Sequence, residues 1–286
     1  MKVEGDRLTL PTGGGGKTGT LKRYPNIVAR LTEPAPASFR EVAISRDARG
    51  NYSASFVAET PDASEREGGV LAIDLGIKTL VTGITDRGRV YTIGGFKGYQ
   101  WYNRQLDTIR SKRDRCQKKS RRYIHLSEVY QRVSERKRSK QRDCLHKASH
   151  LIAHRVVEST VVIGDLSQRQ MVTKAHQEKH RYHHRAVFND WGLYRFVRML
   201  EYKCRHAGKK LERIGERYTS QECCRCHQRQ AMPLWKRTYR CGNCGLVLDR
   251  DVNSAINILQ RFLARLGPHT LSPSWLERAV CCAKVQ

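Results

Sequence analysis

Four cysteines in two pairs are the residues of this 286-residue chain with the clearest metal-binding pattern. Two residues separate Cys223 from Cys226, and Cys241 and Cys244 repeat that spacing after fourteen intervening residues. Two thiolates on each of two tight turns make a tetrahedral sulfur set, which suits Zn²⁺ in a closed structural site. Cys224 is an alternative ligand beside Cys223, but the two-residue gap favours Cys223.

Two aspartates at the ends of predicted elements could hold a different metal. Asp74 ends the buried-strand sequence of residues 68–76, and Asp251 stands at or near the N-terminus of a predicted helix. Carboxylate oxygens are the ligands that Mg²⁺ prefers, and two such ions about 4 Å apart stabilise the attacking and leaving oxygens of a phosphodiester. Each acid also has a plainer interpretation, since Asp251 could be only an N-cap and Asp74 only a turn residue.

The composition is strongly basic, with 54 Lys and Arg, 27 Asp and Glu, and a formal net charge of +27. Such an excess attracts polyanions, so DNA or RNA is the expected partner. An anionic membrane is the second possibility, but we find no long apolar span and no signal peptide. We therefore expect a cytoplasmic, nucleoid-associated protein that does not contact membranes. The cysteine pairs in such a compartment favour metal over disulfides.

The strands that must position Asp74 come from the first hundred residues. Residues 1–64 are predicted to be β-rich, with a hairpin formed by residues 42–45 and 52–57. The glycine run at 13–16 is expected to be a flexible loop, because its spacing does not fit a phosphate-binding loop. Three further strands, at 68–76, 80–84 and 90–93, are expected to form an antiparallel meander.

Residues 98–158 are predicted to be helical and very basic. Between positions 101 and 150 there are sixteen Lys and Arg against five acids, which indicates a surface for backbone phosphates. A solvated helix face is the alternative. Four aromatic residues among these charges could stack on bases or pack in the core. They are Tyr99, Trp101, Tyr102 and Tyr123.

The second half of the chain supplies one more buried strand, at 159–166, and the elements around the cysteines. An amphipathic helix is expected at 191–207, a strand at 210–216 and a closing helix at 252–266. Four histidines in the loop after residue 166 lack an orderly ligand spacing and are interpreted as surface or phosphate-facing. They are His176, His180, His183 and His184. The tail at 267–286 looks appended, and the sequence assigns it no function.

These motifs, taken in order, resemble the TnpB family, the OrfB proteins of insertion sequences and relatives of type V CRISPR effectors. The resemblance covers roughly residues 40 to 262. It rests on AIDLGIK at 72–78, RDCLHK at 142–147, VVIGDL at 161–166, LEYK at 200–203, TSQEC at 219–223 and DVNSAINI at 251–258. It implies a transposon-encoded, Mg²⁺-dependent endonuclease that binds a guide RNA and cuts target DNA.

The resemblance also implies an α/β fold: an RNase H-like (RuvC) mixed sheet with a long basic helical insert, an inserted zinc ribbon and a small N-terminal β-rich domain. The expected boundaries are 1–64 for a truncated wedge-like domain, 65–218 for the nuclease core with its helical insert at 98–158, 219–248 for the zinc ribbon, 249–266 for the last nuclease motif and closing helix, and 267–286 for the tail. Because the N-terminal part is short for the family, no residue is assigned to guide binding.

By position, the resemblance makes Asp74 the first catalytic acid and Asp251 the last, with Cys223, Cys226, Cys241 and Cys244 as the zinc ligands. The family usually has Glu where this chain has Gly164, which cannot hold a metal. Neighbouring residues of a strand point to opposite faces, so Asp165 is a poor substitute. Glu216 is expected to complete the set, because its strand should lie beside the one that ends at Gly164. The alternative is a nuclease-dead, RNA-guided or plain DNA-binding repressor, or a decayed element.

Overall fold

The computed structural model describes residues 2–11, 26–47, 50–59, 63–76, 79–165, 190–233, 235–267 and 272–284, with the backbone alone for 273 and 281–284. The glycine run at 13–16 and the four histidines between 176 and 184 lie outside the described residues. The chain divides into two compact units, Met1–Pro61 and Asp62–Gln286.

The N-terminal unit consists of short antiparallel strands. Strands β1 (Lys2–Glu4), β2 (Arg7–Leu10) and β3 (Ile27–Arg30) form one sheet, and β4 (Glu41–Arg46) and β5 (Tyr52–Val57) form a hairpin. The predicted hairpin is therefore confirmed. Its turn is stabilised by the Asp47 carboxylate, which accepts from the Asn51 backbone N–H at 2.8 Å, as Asp does in short turns.

A five-stranded mixed sheet forms the centre of the second unit. It contains β6 (Val70–Leu75), β7 (Thr79–Thr85), β8 (Val90–Gly94), β9 (Thr160–Gly164) and β10 (Lys210–Ile214), in the spatial order β10-β9-β6-β7-β8. The predicted meander is confirmed, since β6, β7 and β8 are antiparallel neighbours. Strands β9 and β10 run parallel to β6. The carboxyl ends of β6, β9 and β10 therefore meet at one edge.

Helices cover both faces of this sheet. Helices α1 (Tyr99–Asp114) and α2 (Arg121–His150) pack against each other, and α2 begins at Ser120, whose hydroxyl accepts from the Tyr123 backbone N–H. A π-helical turn (Leu151–Arg155) leads into β9, and α3 (Leu193–His206) follows it along the chain. Helices α4 (Arg250–Leu266) and α5 (Pro273–Lys284) end the chain. In the described part of the chain, no helix is both long and apolar enough to cross a membrane.

The alternation of side chains along β6 divides the core into two layers. Leu71 and Ile73 pack with α2 and α3, whereas Ala72 packs with α4 and α5. Strand β9 follows the same rule, because Val161 lies in the first layer and Val162 in the second. Even-numbered residues of both strands therefore face the layer that contains α4, since the side-chain period of a strand is two.

The C-terminal tail is part of this core, which corrects the expectation that it is appended. Trp275, Leu276, Ala279 and Val280 of α5 are buried in the same layer as α4. The Trp275 indole N–H donates to the carbonyl of Asp86 in the turn between β7 and β8. Trp275 and Leu276 lie one helical turn before Ala279 and Val280, so α5 presents all four side chains on a single face.

Candidate active site and cysteine cluster

Strand parity places Asp74 on the side of the sheet that α4 covers. Asp74 is the fifth residue of β6 and has the parity of Ala72, which packs in the α4 layer. It lies half-buried near the carboxyl end of the strand. The acid is thus part of the sheet and not a loose turn residue, and it faces the helix that begins at Arg250.

The first turn of α4 brings Asp251 to the same place. Asp249 is the N-cap of this helix, because its carboxylate accepts from the backbone N–H groups of Asp251 and Val252. Asp251 is therefore not the cap, and its side chain is buried. A methyl group added at Gly76, just beyond β6, would lie 3.5 Å from an Asp251 carboxylate oxygen. Asp251 therefore lies at the end of the strand that carries Asp74.

Glu216 fills the space that the missing side chain of Gly164 leaves open. Strand β10 pairs with β9 in parallel register, with Ile214 opposite Gly164, so Glu216 follows two residues later on the same edge. A Cβ atom added to Gly164 would lie only 3.0 Å from the Cβ of Glu216 and 3.3 Å from its carboxyl carbon. Positions 164 and 216 consequently compete for one volume on the α4 side of the sheet.

The electrostatics of these carboxylates indicate that they share one environment. The pKa of Asp74 is raised well above its usual value, mainly by burial and then by the charges of Asp251 and Glu216. Burial also raises the pKa of Glu216 to about 7, with a smaller contribution from Asp165. Asp74 is thus the carboxyl whose ionisation the charges of Asp251 and Glu216 oppose, and a divalent cation would relieve that opposition.

Two arginines that the sequence reasoning missed neutralise Asp251. The Arg237 guanidinium donates to both Asp251 carboxylate oxygens, at 3.1 and 3.3 Å, and Arg250 donates to one of them at 3.2 Å. Arg250 could have been noticed as the direct neighbour of Asp251 in sequence. Arg237 carries no such signal, because its proximity results from the pairing of β11 (Thr238–Arg240) with β12 (Val247–Asp249).

The four predicted cysteines form a compact sulfur cluster beside this site. Among the described residues, theirs is the one group of metal-ligating side chains whose ligand atoms converge, all within 4.8 Å of one another. The Sγ atoms of Cys223 and Cys244 are 3.6 Å apart, and those of Cys226 and Cys241 are 3.5 Å apart. A tetrahedron with Zn–S bonds of about 2.3 Å has edges of about 3.8 Å, so the four thiols fit a structural zinc ion.

Hydrogen bonds to Cys226 favour the thiolate that zinc binding requires. Donation from the Gln228 backbone N–H and from the Asn243 side chain lowers the pKa of Cys226 to about 6. Cys224 is in a different environment, since it is buried and its thiol is outside the cluster. Burial raises the pKa of Cys224 to about 12, so it behaves as a core residue.

The basic helices mix surface charges with core contacts. Trp101 is exposed and packs edge-on against Tyr102 at 4.9 Å, whereas Tyr99 packs against the core beneath α2 and α3. Tyr123 lies against the Arg113 guanidinium, 5.8 Å from the ring centre. One member of the predicted phosphate surface is misassigned, because Lys137 is buried in an ion pair with Asp190.

Most of the chain matches the models of two known protein families. Residues 54–175 match the OrfB_IS605 family, described as "Probable transposase", and residues 194–258 match the family described as "Cas12f1-like, TNB domain". The first match contains Asp74 and Gly164. The second contains Glu216, Asp251 and the cysteine cluster.

Two relatives illustrate how far the similarity extends along the chain. It is 28% identical over 199 residues to a TnpB-like protein of Methanocaldococcus jannaschii, covering 67% of this chain and 68% of that protein. It is 32% identical over 267 residues to a Streptomyces pristinaespiralis protein named "Putative RNA-guided DNA endonuclease", covering 87% of this chain and 60% of that protein. The chain thus spans about two thirds or less of the length of these relatives.

The fold itself is similar to a solved structure. A chain of a CRISPR-Cas12f ternary complex, determined by cryo-EM, superposes with a TM-score of 0.51 and 16% sequence identity. The superposition covers 76% of this chain and 44% of the other. At this identity the comparison concerns the fold alone.

Proposed function

From the premise that the chain belongs to the TnpB/OrfB family of insertion-sequence proteins, we propose that it is an RNA-guided DNA endonuclease that cuts by two-metal hydrolysis. The mixed sheet with its long helix and cysteine cluster supports this proposal at the level of the fold. Three antiparallel strands extended by two parallel ones agree with an RNase H-like (RuvC) core, to which we assign residues 65–218 and 249–266.

The observation that carries the proposal is the position of Glu216 over Gly164. A nuclease of this class needs a carboxylate between the first and last aspartates, and Gly164 cannot provide one. The Glu216 side chain occupies the volume where a residue at 164 would begin, and its charge acts on Asp74. We therefore assign Asp74, Glu216 and Asp251 as the catalytic acids.

The chemistry divides between the metal and the protein. Bound Mg²⁺ would activate a water molecule and stabilise the leaving 3′ oxygen. Asp74 and Asp251 would hold it from β6 and α4, and Glu216 from the segment after β10. Arg237 and Arg250 contact the buried Asp251 carboxylate and would hold its orientation for a cation. The zinc ribbon, which we assign to residues 219–248, presents Arg237 to this site.

The same proposal assigns the nucleic-acid surface to the helices α1 and α2. Their exposed Lys and Arg would bind phosphates of a guide–target duplex, because such contacts hold nucleic acid without reading its sequence. The N-terminal unit would correspond to the wedge-like domain. Guide RNA and target DNA are thus the proposed partners, and Zn²⁺ and Mg²⁺ the proposed metals.

Cleavage of matched DNA tests the function directly. The protein is purified with RNA co-expressed from the flanking sequence, and cutting of matched and unmatched DNA is measured with and without Mg²⁺. We expect Mg²⁺-dependent cutting of the matched DNA, abolished in Asp74→Ala and reduced at least about 10²-fold in Glu216→Gln. Full cleavage by Glu216→Gln would remove Glu216 from the mechanism. Guided binding without cutting by the wild type would identify the repressor alternative.

A further inference from the structure

One arginine of α4 holds the main chain on both sides of Glu216. The Arg261 guanidinium donates to the carbonyl of Gly215 and to the carbonyl of Arg217, each at 2.9 Å. Its other terminal nitrogen donates to the Glu222 carboxylate at 3.0 Å. A guanidinium suits this task, because its donors have a fixed planar fork geometry and always carry charge.

Glu216 needs such support because it lies outside the sheet. Strand β10 ends at Ile214, so no ladder hydrogen bond fixes the two residues that follow. The carbonyl of Glu216 accepts from the backbone N–H and hydroxyl of Thr219, and Arg261 holds the carbonyls before and after it. Three consecutive carbonyls are therefore fixed, which leaves the Glu216 backbone little freedom.

The same helix carries Asp251 at its other end. Asp251 and Arg261 are ten residues apart on α4, a distance of about 15 Å along a helix. A rigid helix thus sets the position of one candidate metal ligand directly and that of another through Arg261. The two Arg261 contacts with the main chain cannot be inferred from the motif at 251–258, because Arg261 lies beyond that motif.

Two asparagines of α4 hold the next part of the segment independently of Arg261. The amide nitrogens of Asn253 and Asn257 donate to the carbonyl of Glu222, at 2.7 and 2.8 Å, and Asn257 also donates to the carbonyl of Thr219 at 2.8 Å. The loop that leads to the cysteine cluster therefore has contacts with α4 that do not involve Arg261, and we expect them to remain when the Arg261 contacts are removed.

We propose that Arg261 is a positioning residue, which fixes the main chain around Glu216 so that its carboxylate meets Asp74 and Asp251 at a shared Mg²⁺ site. The proposal rests on the proposed function in one respect, namely that Glu216 binds Mg²⁺. The hold on the main chain itself does not depend on that function.

The test compares Arg261→Met with Arg265→Met. Arg265 lies one turn further along α4 and is exposed, so its substitution removes the same charge from the same helix. Three quantities are measured in the guide-bound protein: zinc content, the Mg²⁺ concentration for half-maximal cutting, and hydrogen exchange of residues 215–219. Arg261→Lys is included because lysine restores the charge and part of the donation.

We expect Arg261→Met to retain zinc, to exchange faster at 215–219, and to require at least about tenfold more Mg²⁺ for half-maximal cutting. Arg265→Met should match the wild type, and Arg261→Lys should be intermediate. Equal Mg²⁺ requirements in Arg261→Met and Arg265→Met would overturn the proposal. Zinc loss or unfolding in both Arg261 variants would overturn it as well, since the role would then be structural.

The two failures can be told apart. A wild-type protein that neither cuts DNA nor responds to Mg²⁺ contradicts the proposed function. Unchanged exchange at 215–219 in Arg261→Met contradicts the hold on the Glu216 main chain, whatever the activity of the protein.

Discussion

At the scale of single residues, the candidate site depends on two neighbours that share one space. Gly164 leaves room above β9, and the side chain of Glu216 fills it. A carboxylate is therefore present on the α4 side of the sheet, although its backbone belongs to the segment that follows β10. Because either position can hold one side chain but not both, the pair should behave as a unit under substitution.

Exchange of the two residues is therefore the sharpest residue-scale test. We expect Gly164→Ala to lower cleavage at least about 10²-fold, because its methyl group displaces Glu216. The double variant Gly164→Glu with Glu216→Gly should cut faster than either single variant. Cleavage rates of the wild type, Gly164→Glu, Glu216→Gly and the double variant at saturating Mg²⁺ measure the coupling between the two positions. Purely additive losses would show that the positions do not compete.

A second residue-scale prediction follows from the raised pKa of Glu216. Its folded-state pKa of about 7 lies above the ordinary 4.5, so its contribution to stability is present below pH 4.5 and is lost as pH rises through 7. Without Mg²⁺, the free energy of unfolding should fall by up to about 3 kcal/mol more in the wild type than in Glu216→Gln between pH 5 and 8.

Urea denaturation at both pH values, with and without Mg²⁺, measures this difference. Mg²⁺ should restore the stability of the wild type at pH 8, because the metal replaces the proton on the carboxylates. An equal Mg²⁺ effect in Glu216→Gln would mean that Glu216 does not bind the cation.

At the scale of elements, strand parity and one helix explain why the candidate acids Asp74 and Asp251 lie at the same edge of the sheet. Even-numbered residues of β6 and β9 face α4, and α4 brings Asp251 to the end of β6. The ribbon formed by β11 and β12 adds Arg237 to the same place and connects it to the cysteine cluster. The cysteine cluster is therefore connected through the ribbon to the arginine that contacts Asp251.

Single substitutions in the ribbon should distinguish the cysteines that bind zinc from the buried Cys224, which does not. Cys223→Ser should release the bound zinc, about one equivalent per chain, whereas Cys224→Ala should retain it. Metal analysis of the purified variants is the measurement. Since Cys224 is buried, its variant should lose about 1 kcal/mol of stability but keep Mg²⁺-dependent cutting. Zinc loss in Cys224→Ala would reverse the assignment.

At the scale of the whole molecule, the net charge favours the binding of polyanions. The packing of the helices determines which of the charged side chains are exposed for that binding. The formal charge of +27 predicts salt-sensitive binding to nucleic acid. Lys137 shows that the count alone overstates this surface, because it is buried in an ion pair with Asp190. Arg121 and Arg122, at the exposed start of α2, are better candidates for phosphate contacts.

Replacement of Arg121 and Arg122 by Gln should weaken nucleic-acid binding and make the remaining affinity less dependent on salt concentration. The slope of log affinity against log salt should become shallower by roughly 2, since each lost phosphate contact removes about 0.9. The matched control replaces Arg87 and Arg89, which are exposed beside the turn between β7 and β8. An equal change in the control would mean that net charge, and not a defined surface, sets the binding.

The parts of the fold and of the candidate site that depend on residues close together in the sequence were predictable. The hairpin and the meander follow from the period of two, and the four cysteines from their spacing, whereas the strand predicted at 210–216 ends at Ile214. Arg237, Arg261 and the packing of α5 were not predictable, because each contact joins segments that the sequence keeps apart. No periodic pattern marks such contacts, and only the assembled sheet and helices bring them together.

The amino-acid sequence by itself determined the thiol set, the basic character of the chain and the face of the sheet to which each strand residue points, since these depend on neighbours along the chain. The tertiary structure alone decided that Arg237 contacts Asp251, that Lys137 is buried and that α4 holds the main chain around Glu216. Those outcomes depend on parallel pairing and helix packing between distant segments, whose relative positions arise only when the whole core is packed.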